Sequence, residues 1–587
     1  MPDPQLALTA RVQEALTAAF GPSYAGTDPV IRPSQFADLQ ANVAMSLVKP
    51  LTAERGEKQN PRGIAQEIVA KLDRGDLIDK IEVSGPGFIN LTLRDDWIAA
   101  QAQRVLTEPR LAVPETETPQ RVVVEYSSPN VAKEMHVGHL RTTIVGDALA
   151  RILGFLGHEV IKDNHVGDWG TPFGMLIEHL LDIGEEKAAD DDSSVSDLTA
   201  FYQAAREKFD SDEKFADRAR RRVVELQAGD PETLRLWQVL VDVSKRYFNT
   251  VYRRLGVTLT DDDIKGESFY NDLLAPTVQE LEDKGIAVLS DGALCAFPPG
   301  FTGREGEPLP VIIRKSDGGY NYSTSDLATV RYRVDTEHVD RMIYVVGAPQ
   351  ALHFQMVFAV ARMAGWLNDG VRAEHAQIGN VLGTDGKMLR TRAGGTVKLS
   401  ELLDEAVERA GERFDAVEHQ AEFDAATRDE IVEKVGIGAV KYADLSVALD
   451  SEYIFDIDRM TLFNGKTGPY LQYATVRIRS IFRKGGVDPE TATDPIKIGH
   501  EAERALALKL LDFGAVVQQS GELSEPHRLA GYLFELAQAF TSFFENCPVL
   551  NAPDEETRGS RLALSAATLR TMTTGLDLLG IPVPERM

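Results

Sequence analysis

Apolar residues recur in the first hundred positions with the periods of helices and strands. One stripe of apolar side chains at every fourth position predicts a half-buried helix and consists of Leu8, Val12, Leu16 and Phe20. A second stripe of similar spacing, which predicts another helix, consists of Phe36, Leu39 and Val43. Because Asn caps helices and Pro fits their first position, Asn60 and Pro61 predict the start of a third. Alternating apolar residues around a Gly-Pro-Gly turn then predict a β-hairpin over 81–93.

A pattern typical of nucleotide-binding folds begins after the stretch 107–120. That stretch is rich in Pro, Thr and Glu and has no period, which predicts a linker. A β-branched strand at 121–126, a helix over about 139–156 and a second strand at 158–163 follow it. Strand, helix and strand within about forty residues form a βαβ unit, from which doubly wound sheets are built. Residues 185–198 are predicted to be an acidic surface loop.

The remaining pattern divides the chain into three predicted domains. Apolar runs and helical periods alternate to about residue 450, and amphipathic helices dominate beyond it. The sequence predicts a multidomain α/β protein with a doubly wound, Rossmann-type parallel-sheet catalytic core. An N-terminal α/β domain is expected at 1–106, the core at 120–455 and a C-terminal all-α helical bundle at 456–587.

Composition narrows the class of protein. The two cysteines, Cys295 and Cys547, lie far apart and have no Cys or His partner at ligand spacing, which excludes a zinc knuckle and favours a reducing cytoplasm. No apolar run is long enough for a membrane span, and the N-terminus does not resemble a signal peptide. The net charge of −27 argues against promiscuous nucleic-acid binding, but local basic patches remain compatible with a specific partner.

The segment 127–149 carries the chemistry. It follows the first strand of the βαβ unit and leads into a helix, where doubly wound folds bind their ligands. His136 and His139 flank Gly138, so two imidazoles can face one phosphate while the glycine permits close approach. Such a tetrad alone is also compatible with two ordinary histidines at the start of a helix.

Further motifs resemble those of arginyl-tRNA synthetases, a class I family. They occur in the family's order along nearly the whole chain: Ser127-Ser128-Pro129-Asn130, Lys133, His136-Val137-Gly138-His139, Gly167-Asp168-Trp169-Gly170, the stretch 385–406 and the stretch 467–481. The resemblance implies that ATP activates L-arginine to arginyl-adenylate and that the arginyl group passes to the terminal adenosine of tRNA(Arg). Mg²⁺ would arrive with ATP, largely hydrated, and no structural zinc is expected.

The resemblance also implies which residues bind ATP and perform the activation. His136, His139 and Lys133 are the first catalytic candidates, with Lys387 and Arg390 from the loop that follows. The expected ATP contacts are Pro129, Asn130, Val137, Gly138, Gly386 and Met388. The usual Lys-Met-Ser-Lys-Ser loop is here Lys387-Met388-Leu389-Arg390-Thr391, so an arginine fork replaces its second lysine. Lys133 is expected to share the transition-state charge, the alternative being a solvated surface lysine.

Arginine specificity requires acceptors for a guanidinium, and a bidentate carboxylate suits this planar cation best. The candidates carried over from the family pattern are Ser127, Asn130, Glu159, Asn164, Tyr322, Asp326 and Gln350. A helix at 322–326 would place Tyr322 and Asp326 on one face, although Asp326 could instead cap that helix. Glu159 could be a merely exposed residue at the start of a strand.

The resemblance implies that the N-terminal domain recognises the tRNA elbow and the C-terminal domain the anticodon. A basic stretch with aromatic residues supports the second role and consists of Tyr470, Tyr473, Arg477, Arg479, Arg483 and Lys484. The phenylalanines of the stretch 533–544, which also contains Leu533, are expected in the core of the bundle and are Phe534, Phe540, Phe543 and Phe544. A monomer that contacts no membrane is the default expectation.

Three alternatives remain open at this point. A nucleotidylyltransferase shares the His-x-Gly-His chemistry, but it needs neither an arginine pocket nor a large helical domain. Class I synthetases for methionine or cysteine commonly use zinc, which two isolated cysteines cannot hold. A catalytically inactive tRNA-binding paralogue would not need both histidines, Lys133 and the loop 386–395.

Overall fold

The computed structural model describes residues 3–184, 198–390, 396–416 and 423–587. The predicted acidic loop at 185–198 therefore lies almost wholly outside the described residues, as does Thr391 of the predicted ATP loop.

Residues 3–114 form helices around a small antiparallel sheet. The helices are α1 (Pro4–Phe20), α2 (Val43–Ser46), α3 (Val48–Arg55), α4 (Pro61–Lys71) and α5 (Asp95–Thr107). The strands are β1 (Ile31–Pro33), β2 (Leu39–Ala41), β3 (Ile78–Ser84) and β4 (Phe88–Leu93), in the sheet order β1-β2-β4-β3. The predicted first helix, third helix and hairpin are confirmed, and Asn60 caps α4 by accepting the backbone N–H of Arg62.

The helix predicted from Phe36, Leu39 and Val43 is wrong. Leu39 instead begins β2 and pairs with Leu91, while Phe36 lies in a bend and is 79% exposed. The helical spacing of the three apolar residues is misleading because they belong to different elements. Leu39 and Ala41 are buried at alternate positions of a strand, and Val43 begins the next helix. The backbone N–H of Leu93 donates to the Asp38 carboxylate and holds this segment along the sheet.

Residues 121–460 contain a parallel sheet with flanking helices. Their strands are β5 (Arg121–Glu125), β6 (Glu159–Asp163), β7 (Ala287–Ser290), β8 (Ala293–Ala296), β9 (Val311–Arg314), β10 (Arg341–Gly347), β11 (Arg372–Ile378), β12 (Val381–Leu382) and β13 (Tyr453–Ile454). Their helices are α6 (Val137–Phe155), α7 (Pro172–Ile183), α8 (Leu198–Ser211), α9 (Glu213–Gln227), α10 (Pro231–Leu255), α11 (Asn271–Asp283), α12 (Tyr322–Asp335), α13 (Ala351–Met363), α14 (Leu399–Asp415), α15 (Ala425–Leu445) and α16 (Ile457–Met460).

The main sheet has the order β11-β10-β5-β6 with every neighbouring pair parallel. The predicted βαβ unit is β5–α6–β6, which is confirmed. The chain leaves β5 toward β6 on one side and leaves β10 toward β11 on the other. The boundary between β5 and β10 is therefore the switch point of the sheet, where the carboxyl ends of the strands open a crevice for ligands. The core beneath it includes Val123, Met342, Tyr344 and Val357.

The C-terminal part is helical, as predicted. Its helices are α17 (Gly468–Gly485), α18 (Glu501–Leu511), α19 (Phe513–Glu522), α20 (His527–Asn546) and α21 (Glu555–Leu578). Phe540 and Phe543 are buried, which confirms that they belong to the helical core, whereas Phe534 and Phe544 are only partly buried. No helix in the described ranges is long and apolar enough to cross a bilayer.

The chain divides into two compact units that differ from a simple division along the sequence. One unit comprises Met1–Pro114, Tyr473–Gln519 and Gly531–Gly575; the other comprises Glu115–Gln472, Ser520–Ala530 and Leu576–Met587. The first boundary falls within the predicted linker 107–120. The N-terminus belongs to the first unit and the C-terminus to the second. The second unit also contains the parallel sheet.

Candidate active site

The two histidines of the motif form the start of α6. His136 is the N-cap: its Nδ1 accepts the backbone N–H of Gly138 at 3.0 Å. The Nδ1 atom of His139 accepts the backbone N–H of His136, also at 3.0 Å. Because both Nδ1 atoms act as acceptors, each neutral ring carries its proton on Nε2. The helix cap therefore sets the tautomer of both side chains.

Burial keeps these imidazoles uncharged. It lowers the pKa of His139 to about 3, with a contribution from neighbouring His136. Burial and the positive charge of Lys133 lower the pKa of His136 as well. The ring centroids are 4.0 Å apart, so protonation of one would oppose protonation of the other. At neutral pH both rings are hydrogen-bond donors through Nε2 rather than cations.

The loop between β5 and α6 is held in an unfavourable backbone conformation. Ser127, Ser128 and Ala132 have positive φ angles of 72°, 48° and 59°, which cost non-glycine residues about 1–3 kcal/mol each. Hydrogen bonds from neighbouring elements compensate. The Ser127 hydroxyl lies 2.7 Å from the hydroxyl of Tyr252, and the backbone N–H of Ala132 donates to the Ser244 hydroxyl at 2.9 Å. Helix α10 thereby fixes the approach to the histidines.

Two arginine-pocket candidates lie in this supporting layer. Asn164 is fully buried; its Nδ2 donates to the Tyr252 hydroxyl and its Oδ1 accepts the backbone N–H of Ser128. Ser127 is buried and also accepts from Thr143. Their hydrogen-bonding groups are thus engaged by the protein itself. Asn130, by contrast, is exposed at the crevice and its side chain lies against Gly167.

A cavity of about 590 Å³ opens beside the histidines at the switch point. Its lining comes from the start of α6, the ends of β10 and β11 and the following loop, and includes His136, Val137, Gly138, Gly347, Gly379, Met388 and Arg390. Arg141 fixes the wall: it is buried, pairs with Asp444 at 3.0 Å and donates to the carbonyl oxygens of Gly379 and Ser451. The size and position suit a nucleotide.

The ATP-loop candidates form a tight turn next to this cavity. The backbone N–H of Gly383 donates to the carbonyl of Lys387, and Gly386 has a left-handed φ of 72°. Lys387 and Arg390 are both exposed, and Arg390 forms an isolated bridge with Thr396. Pro129 is buried in the opposite loop. Residues 391–395 lie outside the described part of the chain.

Lys133 lies between the histidines and the helix α8. Its Nζ is 4.4 Å from the ring centroid of Tyr202, a cation–π distance, and its charge reaches His136. It is only partly exposed. The lysine is therefore held between Tyr202 and His136 rather than solvated freely on the surface.

Asp326 and Tyr322 lie on helix α12 one turn apart, as predicted. Asn321 caps that helix through Thr324, so Asp326 does not serve as its N-cap. The Asp326 carboxylate contacts Nε2 of His353 at 2.5 Å, and the Tyr322 ring lies 4.9 Å from the His353 ring. Gln350 is exposed at the end of the turn Ala348–Gln350 that follows β10.

Glu159 lies at the amino end of β6, away from the crevice. It is exposed and pairs with Arg121 at 3.1 Å at the start of β5. Both residues begin strands whose carboxyl ends, Glu125 and Asp163, border the ligand edge. A five-residue strand separates its ends by roughly 13 Å, too far for this carboxylate to share a ligand with Asp326.

A carboxylate that the sequence pattern did not single out, Glu267, is close enough to Asp326 for the two charges to interact. Glu267 lies in the short turn Glu267–Tyr270, and burial raises its pKa, with further repulsion from Asp168 and Asp326 opposed by His165. Asp168 positions this turn, since it accepts the backbone N–H and the hydroxyl of Ser268 at 2.8 and 2.6 Å. The charge of Asp326 is one of the causes of the raised pKa of Glu267, and a cation between the two carboxylates would relieve this repulsion.

The predicted tRNA-binding residues lie along α17. Tyr470 is in its first turn; Tyr473, Arg477 and Lys484 then recur at multiples of a helical turn and share a face. The Arg477 guanidinium lies 4.1 Å above the Phe544 ring. Arg479 and Arg483 lie one turn apart on another face of the same helix.

Comparisons with known proteins identify the family to which the domains of this chain are similar. Residues 101–457 match the family described as tRNA synthetases class I (R), catalytic domain; residues 471–587 match the DALR anticodon binding domain, and residues 6–93 match the arginyl tRNA synthetase N terminal domain. An arginine–tRNA ligase of Thermobifida fusca is 63% identical over 100% of both chains, and one of Frankia casuarinae is 51% identical over 98% of both.

Solved structures give the same result. The arginyl-tRNA synthetase of Plasmodium falciparum superposes with a TM-score of 0.84 at 28% identity, covering 99% of each chain. That of Thermus thermophilus superposes with a TM-score of 0.80 at 26% identity, covering 99% of this chain and 100% of the other.

Proposed function

The chain belongs to the arginyl-tRNA synthetase family, and we propose that it joins arginine to tRNA(Arg) with the residues assigned below. The observation that carries the function is the 63% identity to an arginine–tRNA ligase over the full length of both chains. The enzyme uses ATP as a substrate, as class I synthetases do. The roles of individual side chains rest on the geometry of the crevice.

ATP occupies the cavity between the start of α6 and the loop 383–390. In the first step the arginine carboxylate attacks the α-phosphorus. The bond between the α-phosphorus and the oxygen that bridges it to the β-phosphate breaks, and pyrophosphate leaves. The reaction gains mostly from positioning and charge stabilisation. His136 and His139 donate from Nε2 to phosphate oxygens, and Lys133, Lys387 and Arg390 supply positive charge. Mg²⁺ enters bound to the phosphates and chiefly to water.

In the second step a ribose hydroxyl of the terminal tRNA adenosine attacks the arginyl carbonyl carbon. The bond between that carbon and the adenylate oxygen breaks, and AMP leaves. The same neutral imidazoles remain donors to the leaving phosphate, because burial keeps their pKa values low.

The guanidinium of arginine lies between Asp326 and Glu267. Glu267 can accept two of the five guanidinium N–H groups and Oδ1 of Asp326 can accept another, and the cation relieves the repulsion between the two carboxylates. Tyr322, Gln350 and Asn130 lie around the same crevice and contact the remainder of the amino acid. We assign Glu267 the role for which the family pattern had suggested Glu159. Ser127 and Asn164 support the loop beneath the substrate.

The proposed functional domains keep the predicted bounds 1–106, 120–455 and 456–587. The matched family ranges 6–93, 101–457 and 471–587 support this division. The first domain would recognise the tRNA elbow and the last the anticodon, with the aromatic and basic face of α17 contacting the RNA. The two buried free thiols support a location in a reducing cytoplasm. We also propose that the protein is a monomer, which sedimentation would measure.

Aminoacylation of total tRNA by the purified full chain tests the function. Each of the twenty amino acids is offered with ATP and Mg²⁺, and only arginine is expected to be charged. Asp326→Asn should lower kcat/KM for arginine by at least about tenfold, since it removes the charge of a partly buried carboxylate partner. Charging of another amino acid would refute the pocket assignment, and no charging by folded protein would refute the proposed function.

A further inference from the structure

His353 contacts the carboxylate on which the proposed arginine pocket depends. Its Nε2 lies 2.5 Å from Oδ2 of Asp326. A carboxylate has only acceptor atoms, so the ring must carry its proton on Nε2 for this contact to be attractive. The hydrogen bond engages Oδ2 and leaves Oδ1 of Asp326 for another partner. His353 is thus placed to select one rotamer of the aspartate.

The two side chains come from different helices. Asp326 is in the second turn of α12, and His353 is in the first turn of α13, which follows β10. Both are partly buried, with side-chain exposures of 22% and 17%. The hydrogen bond therefore joins the helix carrying Asp326 to the helix that begins directly after Gln350. Water competes weakly for so sheltered a bond, which favours a fixed geometry.

Aromatic rings restrict the imidazole. The His353 ring centroid lies 4.9 Å from that of Tyr322 and 5.4 Å from that of Phe354. Phe354 is 5% exposed and packs in turn against Tyr344 and His375. The histidine is therefore held by the core of the sheet on one side and by Tyr322 on the other.

We propose that His353 is a positioning residue for arginine recognition, and this proposal rests on the proposed function. By donating to Oδ2, it orients the Asp326 carboxylate so that Oδ1 meets the guanidinium with little loss of conformational entropy. Supporting side chains of this kind usually matter nearly as much as the contact they orient. His353 does not line the cavity proposed for ATP, so its effect should fall on arginine binding.

The test compares single and double variants by steady-state aminoacylation with the full chain. His353→Leu should raise KM for arginine about 10- to 100-fold while KM for ATP stays within about twofold. His353→Gln, whose amide can still donate to Asp326, should recover most of the loss. His375→Leu is the matched control: it removes a half-buried imidazole that also packs on Phe354 but bonds to the Val346 carbonyl. It should leave KM for arginine within about twofold of wild type.

A double-variant cycle separates positioning from an independent contact. In the Asp326→Asn background, adding His353→Leu should change KM for arginine less than about twofold, because the histidine acts through the aspartate. Full additivity would overturn the proposal, as would an unchanged KM in His353→Leu. Equal losses for arginine and ATP without rescue by Gln would also overturn it and indicate a structural role. If wild-type protein fails to charge arginine, the proposed function fails first; thermal unfolding confirms that each variant is folded.

Discussion

Single side chains at the start of α6 combine two tasks that usually compete. The Nδ1 atoms of His136 and His139 satisfy backbone N–H groups of the helix start, and their Nε2 atoms remain for the substrate. Burial keeps both rings neutral, so the site gains donors without adding charge. In the proposed mechanism, Lys133, Lys387 and Arg390 stabilise the negative charge that develops on the phosphates.

The lowered pKa of His139 makes the fold sensitive to acid. The unfolded chain takes up a proton near pH 6.5 and the folded chain only near pH 3, so stability is lost as the pH falls through this window. His139→Asn keeps an acceptor for the His136 N–H but does not titrate. Between pH 7 and pH 5, wild type should lose about 2 kcal/mol more than this variant.

Urea unfolding at the two pH values measures the difference. Other groups that titrate in this range are common to both proteins and cancel. An equal acid-induced loss in wild type and variant would show that His139 is not kept neutral by the fold.

The sequence could supply most of these residues, but not their roles. His136, His139, Lys133 and Asp326 belong to a motif or a helical spacing. The structure places His136 in the lining of the cavity and packs His139 against it. Glu267 belongs to neither, because a short turn held by Asp168 has no periodic signal. Glu159 begins the predicted strand 158–163, and doubly wound sheets bind ligands at the carboxyl ends of their strands, so the sequence already held a signal against it. The pairing of Arg121 with Glu159 confirms that position at the amino end.

At the scale of elements, a buried charge cluster joins two strand ends to the helix that carries Asp326 of the proposed arginine pocket. Arg333 of α12 is fully buried and pairs with Glu125 at 2.6 Å and Asp163 at 3.0 Å, the last residues of β5 and β6. It also lies 4.9 Å from the Tyr344 ring. Arg333 and Asp326 are seven residues apart, so they share a face of α12. The cluster therefore sets the position of the pocket relative to the sheet.

Arg333→Met should destabilise the protein by about 3–5 kcal/mol, because it leaves two buried carboxylates without their cation. Arg331→Met is the control: on the same helix, it breaks a partly exposed pair with Glu280 and should cost about 1 kcal/mol or less. Thermal unfolding of both variants gives the comparison. Equal small losses would mean that the cluster contributes little to holding α12 against the strands.

Helix α17 carries the predicted contact with RNA. Arg477→Ala should raise KM for tRNA and reduce the salt dependence of tRNA binding by roughly one counterion, while arginine and ATP binding stay unchanged. Arg477→Lys keeps the charge and should retain the salt dependence. Binding of labelled tRNA at several salt concentrations measures both. An unchanged slope in Arg477→Ala would remove this side chain from the RNA interface.

Element prediction succeeded where the period was long or the composition was distinctive. Helix α1 and the β5–α6–β6 unit were predicted because each buries a continuous apolar face. The segment 36–43 misled because three apolar residues fit two periods, and pairing with β4 decided between them. A local pattern of apolar residues cannot show that this segment pairs with β4, because β4 lies about fifty residues further along the chain.

At the scale of the molecule, the compact unit containing the N-terminus also includes helices from near the C-terminus. Within it, Arg504 of α18 makes a bidentate contact with Asp38 at 2.7 and 2.8 Å and another contact with Asp95 at 2.7 Å. It also donates to the Leu93 carbonyl. One side chain thus joins segments more than four hundred residues apart in the chain.

Arg504→Met should lower the stability of this unit by about 2–3 kcal/mol, less than for a fully buried pair because its side chain is 22% exposed. Lys497→Met breaks an ion pair with Glu556 in which both partners are mostly exposed, and it should cost less than about 0.5 kcal/mol. Limited proteolysis across a temperature series reports the difference. Equal resistance of the two variants would contradict the importance of Arg504.

The position of bound arginine tests the central claim most directly. A crystal structure of the full chain with arginine and a non-hydrolysable ATP analogue would locate both ligands at once. The account predicts the guanidinium between Asp326 and Glu267, and the nucleotide between the Nε2 atoms of the two histidines and the loop 383–390. A guanidinium bound at Glu159, or away from both proposed carboxylates, would contradict it.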